Sequence, residues 1–143
     1  MPIRTANAVW EGDLQGGKGS MRFGSGAFDG QYSFSSRFEE GTGTNPEELV
    51  GAAHAGCFSM AFSGALGRAG FPPTKVETTA KVHLDKKETG FQVTYIELVT
   101  KATVPGIDEA EFHRIGQEAK QNCPISKLLA GAEITLDATL EKA

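Results

Sequence analysis

The sequence predicts a fold of the α+β class, in which strands and helices occupy separate runs of the chain. Short segments punctuated by glycine before residue 40, and an alternating segment over residues 76–85, indicate strands. An uncharged segment over residues 49–67 and an amphipathic segment after Asp108 indicate two helices. Because the strands and helices do not alternate regularly, the predicted order is βββ-α-ββ-α-β rather than a series of βαβ units.

The composition is that of an ordinary globular domain. Of the 143 residues, 39% are apolar and 22% are charged, so we expect a single domain over residues 1–143. The net charge of −4 gives no overall electrostatic reason to bind nucleic acid or an anionic membrane, and we expect neither as a partner. No apolar signal segment opens the chain, which makes the reducing cytoplasm the expected compartment. In that compartment Cys57 and Cys123 are not expected to form a disulfide that stabilises the fold.

The N-terminal part of the chain is predicted to form strands. Residues 8–11 lead through the glycines of residues 16–19 into a second strand, as in a hairpin. Between Tyr32 and Phe38, mostly aromatic side chains alternate with polar ones. This alternation predicts a strand with Arg37 on its more polar face.

The first helix is predicted to start within residues 44–48, which combine a polar cap, a proline and two carboxylates. Residues 49–67 then form a stretch of about 19 residues without charge, which is long enough to span a membrane. Its glycines, its serines and His54 suit a buried helix better, so we expect protein to cover it on nearly all sides. Small residues at 51–56 would admit a closely packed neighbour, and we expect a second copy of the chain to supply part of this cover.

The C-terminal half is predicted to add a strand pair, an amphipathic helix, a short helical turn and a last strand. A change of apolar face between Tyr95 and Ile96 indicates a bulge or a strand covered on both faces. Asp108 and Glu111 resemble a capping box at the start of the second helix. The other predicted segments are the strands over residues 76–85, 91–96 and 134–140 and the turn over residues 123–129.

Cys57 has two interpretations from the residues alone. It lies in the middle of an apolar helix, where a cysteine is commonly an inert small hydrophobe with a raised pKa. Reactivity would require a cation, and Arg37 is a candidate that Glu47 could hold through a bidentate pair. Taken singly, Arg37 and Glu47 are equally consistent with a solvated strand arginine and a carboxylate at a helix start.

Metal ligation is a competing hypothesis. His54 and Cys57 lie three residues apart on one helix face, and Cys123 and His113 could complete a set of four ligands. A structural zinc site normally shows a second closely spaced ligand pair, which the sequence lacks. The spacing therefore favours His54 as a helix-packing histidine.

A longer motif favours the reactive interpretation. Residues 45–61 read Asn-Pro-Glu-Glu-Leu-Val-Gly-Ala-Ala-His-Ala-Gly-Cys-Phe-Ser-Met-Ala. This segment resembles the signature of the OsmC/Ohr family, thiol-dependent peroxidases that reduce organic hydroperoxides, and its Gly-Ala-Ala-His-Ala form is similar to the OsmC branch. The resemblance covers nearly the whole chain and extends to Trp10-Glu11-Gly12, Arg37-Phe38-Glu39, Val104-Pro105-Gly106-Ile107-Asp108 and Cys123-Pro124-Ile125-Ser126.

The resemblance implies a role for each site residue. Cys57 corresponds to the peroxidatic cysteine, Cys123 to the resolving cysteine, Arg37 to the arginine that holds the thiolate and Glu47 to the carboxylate that orients it. The implied reaction passes through a Cys57 sulfenic acid and a Cys57–Cys123 disulfide, which an external dithiol, such as a lipoylated protein, reduces. It needs no cofactor. The implied fold is an intertwined homodimer with long central helices flanked by antiparallel sheets.

Helix geometry constrains this site. Glu47 and Cys57 are ten residues apart, which in a continuous helix is about 15 Å of rise and about 80° of rotation. One Arg37 does not easily bridge that span, so we expect either a site shared across a dimer or an early break in the helix. The alternative function is a non-enzymatic member of the same fold that binds a small apolar ligand between its helices.

Overall fold

The computed structural model describes residues 1–142 and confirms the α+β class. The described residues form two compact units, one over residues 1–49 and one from residue 50 onward. In chain order the elements are β1 (Ala6–Glu11), β2 (Lys18–Phe23), β3 (Asp29–Tyr32), α1 (Phe34–Phe38), α2 (Pro46–Arg68), β4 (Lys75–Lys87), β5 (Gly90–Thr103), α3 (Glu109–Asn122), α4 (Pro124–Leu128) and β6 (Glu133–Glu141).

The first unit is built on an antiparallel sheet with the strand order β1-β2-β3. Trp10 pairs with Gly19, which in turn pairs with Tyr32. Because Gly19 has no side chain, the rings of Trp10 and Tyr32 approach across it, with centroids 5.3 Å apart. A Cβ atom at Gly19 would lie 2.6 Å from either ring, so this close approach requires glycine.

The prediction of a strand over Tyr32–Phe38 is wrong beyond Tyr32, because residues Phe34–Phe38 form the short helix α1. Ser33 and Ser36 form a capping box in which each side chain accepts a hydrogen bond from the backbone N–H of the other. Such a box satisfies two N–H groups that a helix start leaves unpaired. The local hydrogen bonds therefore outweigh the alternating pattern, and Arg37 lies in the last turn of a helix.

The second unit contains the sheet β4-β5-β6. Strands β4 and β5 are antiparallel, as predicted, but β6 runs parallel to β5, which corrects the expectation of antiparallel sheets throughout. A parallel neighbour requires a crossover connection, and α3 and α4 form it between β5 and β6. The predicted bulge is present and lies at Thr94, because His83 pairs with Tyr95 while Leu84 pairs with Val93.

The hydrophobic core lies in the second unit. One face of α2 is buried there, through Gly51, His54, Phe58, Phe62 and Leu66. These residues recur at intervals of three and four, which places them on a single helix face. The ring of Phe62 lies 5.5 Å from that of Phe58 and 5.3 Å from that of Phe112 on α3, so this aromatic cluster fixes α3 against α2.

The opposite face of α2 is open in a single chain, on the helix where the prediction places a second copy of the chain. Ala52, Ala53 and Gly56 are exposed, and Met60 is 79% exposed. A Cβ atom at Gly56 would meet nothing within 4 Å. Among the described residues α2 is also the one helix long and apolar enough to cross a membrane, a test that core helices of soluble proteins pass as well.

Candidate active site

The fold brings the two cysteines together. Cys57 lies in the middle of α2, and Cys123 lies between α3 and α4. The Cys123 thiol points at the Cys57 sulfur with 2.9 Å between the two Sγ atoms, although the residues are 66 positions apart in sequence. Both are free thiols, Cys123 fully buried and Cys57 half-buried. The pair is therefore placed for thiol–disulfide chemistry with little movement of either side chain.

The helix junction at residue 123 positions the Cys123 sulfur. The Cys123 N–H donates to the Ala119 carbonyl at 2.9 Å, and its carbonyl accepts from the Lys127 N–H at 3.1 Å. Its backbone thus ends α3 and begins α4, with Pro124 in the first turn of α4. Proline is favoured there because that position needs no N–H donor. The Cys123 side chain makes no cap bond and is free to face Cys57.

The local environment disfavours a Cys57 thiolate. Burial raises the pKa of the Cys57 thiol, the neighbouring Cys123 raises it further, and a hydrogen bond from the Ile125 backbone only partly opposes this. Desolvation penalises the charged sulfur, which is the nucleophilic form. An efficient thiolate at neutral pH therefore requires a cation that these neighbours do not provide.

A buried histidine lies one helical turn before Cys57. His54 is fully buried, and its Nε2 atom lies 2.7 Å from Ser126 Oγ on α4. Its Nδ1 atom has no hydrogen-bond partner in the part of the chain that the structure describes. Burial lowers the pKa of His54, so the ring is neutral in the folded chain near neutral pH.

Lowering the pH is expected to destabilise the fold through His54. Because burial holds the pKa of His54 below 6.5, the unfolded chain binds a proton that the folded chain resists. The stabilisation is complete above about pH 6.5 and is lost as the pH falls. Urea unfolding from about pH 7.5 to about 5.5 should show this decline, and His54→Gln should flatten it. His113→Gln on the exposed face of α3 is the matched control, and an unchanged slope in His54→Gln would contradict the assignment.

Arg37 and Glu47 form a bidentate ion pair in the first unit. Arg37 Nε donates to Glu47 Oε1 at 3.0 Å, and Arg37 Nη2 donates to Glu47 Oε2 at 2.8 Å. The Arg37 side chain is 35% exposed, whereas the Glu47 side chain is 15% exposed. Bidentate pairs fix the plane of the guanidinium. The predicted pairing of Arg37 with Glu47 is therefore present, with one edge of the guanidinium left available.

The connection between α1 and α2 holds this pair in place. Ser36 Oγ donates to the Thr44 carbonyl at 2.7 Å, and Asn45 Nδ2 donates to the Ser36 carbonyl at 3.0 Å. Asn45 Oδ1 accepts from the Glu48 N–H at 2.7 Å and so caps α2. The predicted helix start is thus confirmed. The bonds of Ser36 to Thr44 and Asn45 were not predicted, because Ser36 was assigned to a strand.

An aromatic cleft adjoins Arg37. It encloses about 240 Å³, and Arg37 forms part of its wall. The Arg37 guanidinium lies 5.2 Å from the centre of the Phe38 ring, within the range of a cation–π contact. No local pattern in the sequence predicts this cleft, because it combines residues from four segments of the first unit. Its other lining residues are Trp10, Leu14, Tyr32, Ser33, Phe34 and Phe38.

The predicted site residues thus appear as two pairs, Cys57 with Cys123 and Arg37 with Glu47, each within one unit. Helix α2 is continuous, so the alternative of an early break is wrong. The proposed metal ligands are not gathered, since His113 contacts Glu109 on α3. Within residues 1–142, no three His, Cys, Asp or Glu side chains form a group that could hold a metal ion.

Comparison with known proteins agrees with these features. Residues 39–138 match the OsmC-like protein family. The chain is 53% identical over 139 residues to peroxiredoxin OsmC of Escherichia coli (strain K12), covering 96% of each chain. It is 34% identical over 101 residues to the organic hydroperoxide resistance protein of Xanthomonas axonopodis pv. citri, covering 70% of this chain and 67% of that one.

A solved structure supports the fold. The organic hydroperoxide resistance protein OsmC from Legionella pneumophila superposes with a TM-score of 0.73 at 23% identity, covering 97% of this chain and 99% of that one. At this identity the likeness concerns the fold alone. The sequence matches to the family and to its peroxiredoxin member extend the likeness to the chemistry. The chain therefore belongs to the OsmC family and is a cysteine-based peroxidase.

Proposed function

We propose that the protein reduces organic hydroperoxides to alcohols through a redox cycle of Cys57 and Cys123. The observation that carries this proposal is the 2.9 Å approach of two free sulfurs that lie 66 positions apart. A buried structural cysteine needs no second thiol at its sulfur atom. Two adjacent thiols are instead the arrangement that a peroxidatic and a resolving cysteine require.

The chemical steps balance without a cofactor. The Cys57 thiolate attacks the distal oxygen of R–O–OH, the O–O bond breaks, and the products are Cys57–SOH and an alkoxide, which takes a proton to give R–OH. The Cys123 thiol then attacks the Cys57 sulfur, an S–S bond forms, and water leaves. An external dithiol reduces this disulfide by two exchanges and is itself oxidised to a disulfide. The resemblance points to a lipoylated protein as this reductant, and the cytoplasm is proposed as the compartment because no apolar signal segment is visible.

Arg37 is proposed to supply the cation that Cys57 lacks. A guanidinium beside the sulfur favours the thiolate and also stabilises the negative charge that develops on the peroxide oxygens. Glu47 holds Arg37 through both of its carboxylate oxygens. Because α2 is continuous, Glu47 and Cys57 are separated by about 15 Å along the helix. We therefore propose that the Arg37–Glu47 pair of one chain serves Cys57 of a second copy.

The burial pattern supports a dimer. Every buried apolar side chain among residues 1–142 lies in the second unit, so the three strands of the first unit bury none. A small sheet needs an apolar partner surface for stability. The open face of α2, which contains Ala52, Ala53, Gly56 and the exposed Met60, likewise lacks cover. A second copy that covers both surfaces would form the intertwined homodimer that the family resemblance implies.

The aromatic cleft beside Arg37 supports an organic substrate. Aromatic side chains dominate the lining of its 240 Å³, which suits the apolar group of an alkyl or aryl hydroperoxide. Hydrogen peroxide has no group to fill this space. The relatives named organic hydroperoxide resistance proteins are consistent with this substrate class.

Replacing Cys123 by Ser should leave the first oxidation intact and expose Cys57 to a second one. Without the resolving thiol, Cys57–SOH persists and is oxidised to the sulfinic acid by further peroxide. Mass spectrometry after repeated additions of tert-butyl hydroperoxide should show two added oxygens on Cys57 in most Cys123→Ser chains and in few wild-type chains. A variant that accumulates no sulfinic acid would show that Cys123 is not the resolving residue.

A further inference from the structure

The hydrogen bond between His54 and Ser126 joins the two cysteine-bearing segments. His54 precedes Cys57 by three residues on α2, and Ser126 follows Cys123 by three residues on α4. Since residues three apart share a helix face, the bond lies one turn away from the pair of sulfurs. We propose that His54 and Ser126 are positioning residues that hold Cys123 against Cys57, so that the disulfide closes before a second peroxide reacts. This inference rests on the proposed function.

Helix α4 needs such an anchor. It has only five residues, and so short a helix is not stable by itself. Ser126 is its buried residue, whereas Leu128 is 76% exposed. The His54 contact at 2.7 Å is the bond between side chains that ties the buried side of α4 to α2. It stands beside the hydrogen bond from the Ile125 backbone to the Cys57 sulfur. A shift of α4 would move Cys123, whose carbonyl accepts the Lys127 N–H of the same helical turn.

The His54 ring depends on this bond. Among residues 1–142 its other ring nitrogen has no hydrogen-bond partner, so Ser126 is the one described residue that satisfies this buried imidazole. Loss of the hydroxyl would leave both ring nitrogens unpaired in the core, and α4 would be held to α2 less firmly, by the Ile125 contacts. A second buried network joins Ser59 through Thr78 to Thr100, but it fixes α2 to the sheet and does not involve α4.

The timing of the cycle explains why the position of α4 matters. Once Cys57 carries a sulfenic acid, attack by Cys123 competes with attack on another peroxide. Of the two cysteines, the first oxidation needs only Cys57, whereas closure needs both sulfurs in reach. A looser α4 should therefore slow disulfide closure without slowing the first oxidation.

Stopped-flow oxidation of the reduced full-length protein by tert-butyl hydroperoxide separates the two steps. Ser126→Ala should keep the rate of sulfenic acid formation, slow disulfide closure about fivefold and increase sulfinic acid at high peroxide. His54→Leu should behave like Ser126→Ala. His54→Gln should recover much of the closure rate, because a glutamine amide can still bond the serine hydroxyl. Thr100→Val removes a fully buried hydroxyl elsewhere and should leave closure unchanged.

The outcomes distinguish this inference from the proposed function. Closure in Ser126→Ala at the wild-type rate would overturn the positioning role and leave the peroxidase cycle intact. An equal slowing in Thr100→Val would also overturn it, since the effect would then be general loosening of the core. A wild-type protein that forms sulfenic acid but no Cys57–Cys123 disulfide would instead refute the proposed cycle.

Discussion

Replacing Cys57 by Ser should abolish peroxide turnover, with a loss of at least about a thousandfold. A serine hydroxyl ionises far less readily than a thiol, and the partners of Cys57 within residues 1–142, Cys123 and the Ile125 backbone, include no general base to activate it. The variant should also fail to form a disulfide, because Cys123 has no partner sulfur. Consumption of tert-butyl hydroperoxide with dithiothreitol as the reductant measures this loss directly.

The matched control is Ser63→Ala, which removes one oxygen atom from a half-buried side chain on the same helix. It should retain wild-type turnover. Dithiol-dependent turnover by Cys57→Ser at the wild-type rate would refute the mechanism. If the wild type had no turnover and both proteins bound an apolar ligand equally, the non-enzymatic alternative would be correct.

Replacing Arg37 by Met should slow the reaction of Cys57 with peroxide about a hundredfold at neutral pH. A neighbouring cation shifts a pKa by about one to three units, so its loss should reduce the thiolate fraction by a comparable power of ten. Burial raises the pKa of Cys57 to begin with, so the variant should recover rate only as the pH rises. The pH dependence of the second-order rate constant checks this, and Glu47→Gln should show a smaller change in the same direction.

Arg22→Met is the control for Arg37→Met. Arg22 is also an arginine of the first unit that faces a carboxylate, Asp29, at 3.7 Å, but it lies on an exposed strand. Its loss should leave the rate and its pH dependence unchanged. An Arg37→Met protein with the wild-type pH profile would show that Arg37 does not stabilise the thiolate.

Mixing two inactive variants tests whether the site is shared between chains. In a mixed dimer of Cys57→Ser and Arg37→Met chains, a shared site would join intact Cys57 from one chain with intact Arg37 from the other. After random exchange about half of the dimers are mixed and each holds one intact site, so about a quarter of the wild-type activity should return. No recovery after verified exchange would show that each site uses the Arg37 of its own chain.

The sequence predicted those elements in which local chemistry and pattern agree. Asn45 and Pro46 marked the start of α2, and Asp108 marked the start of α3, where its carboxylate accepts the Glu111 N–H as a cap. Alternation predicted β4 and β6, since each has one half-buried and one exposed face. In these segments the residues within a few positions determine the conformation.

The wrong predictions have identifiable physical causes. Around Ser33 and Ser36 the alternating pattern competed with a capping box, and the hydrogen bonds of the box prevailed. The direction of β6 depends on the crossover through α3 and α4, which strand alternation does not reveal. The open face of α2 is different, because small residues such as Ala52 and Gly56 already predict that a second copy packs on this helix.

The candidate site was predictable only in part. The residues alone left Cys57 ambiguous, and the roles of Cys123, Arg37 and Glu47 came from the resemblance. The contact of His54 with Ser126 joins positions 72 apart, and no local pattern encodes such a distance. The sequence does show that each of these residues lies three positions from a cysteine. Once the two cysteines are paired, this spacing indicates that His54 and Ser126 lie near each other.

The most direct test of the redox cycle is a single turnover of the reduced protein. One equivalent of tert-butyl hydroperoxide should yield one equivalent of tert-butanol, and intact mass should show the loss of two hydrogen atoms per chain. Peptide mapping should then place one disulfide between Cys57 and Cys123 of the same chain, as their 2.9 Å separation predicts. Oxidised Cys57 beside an unchanged Cys123 thiol, or a disulfide between chains, would contradict the proposed cycle.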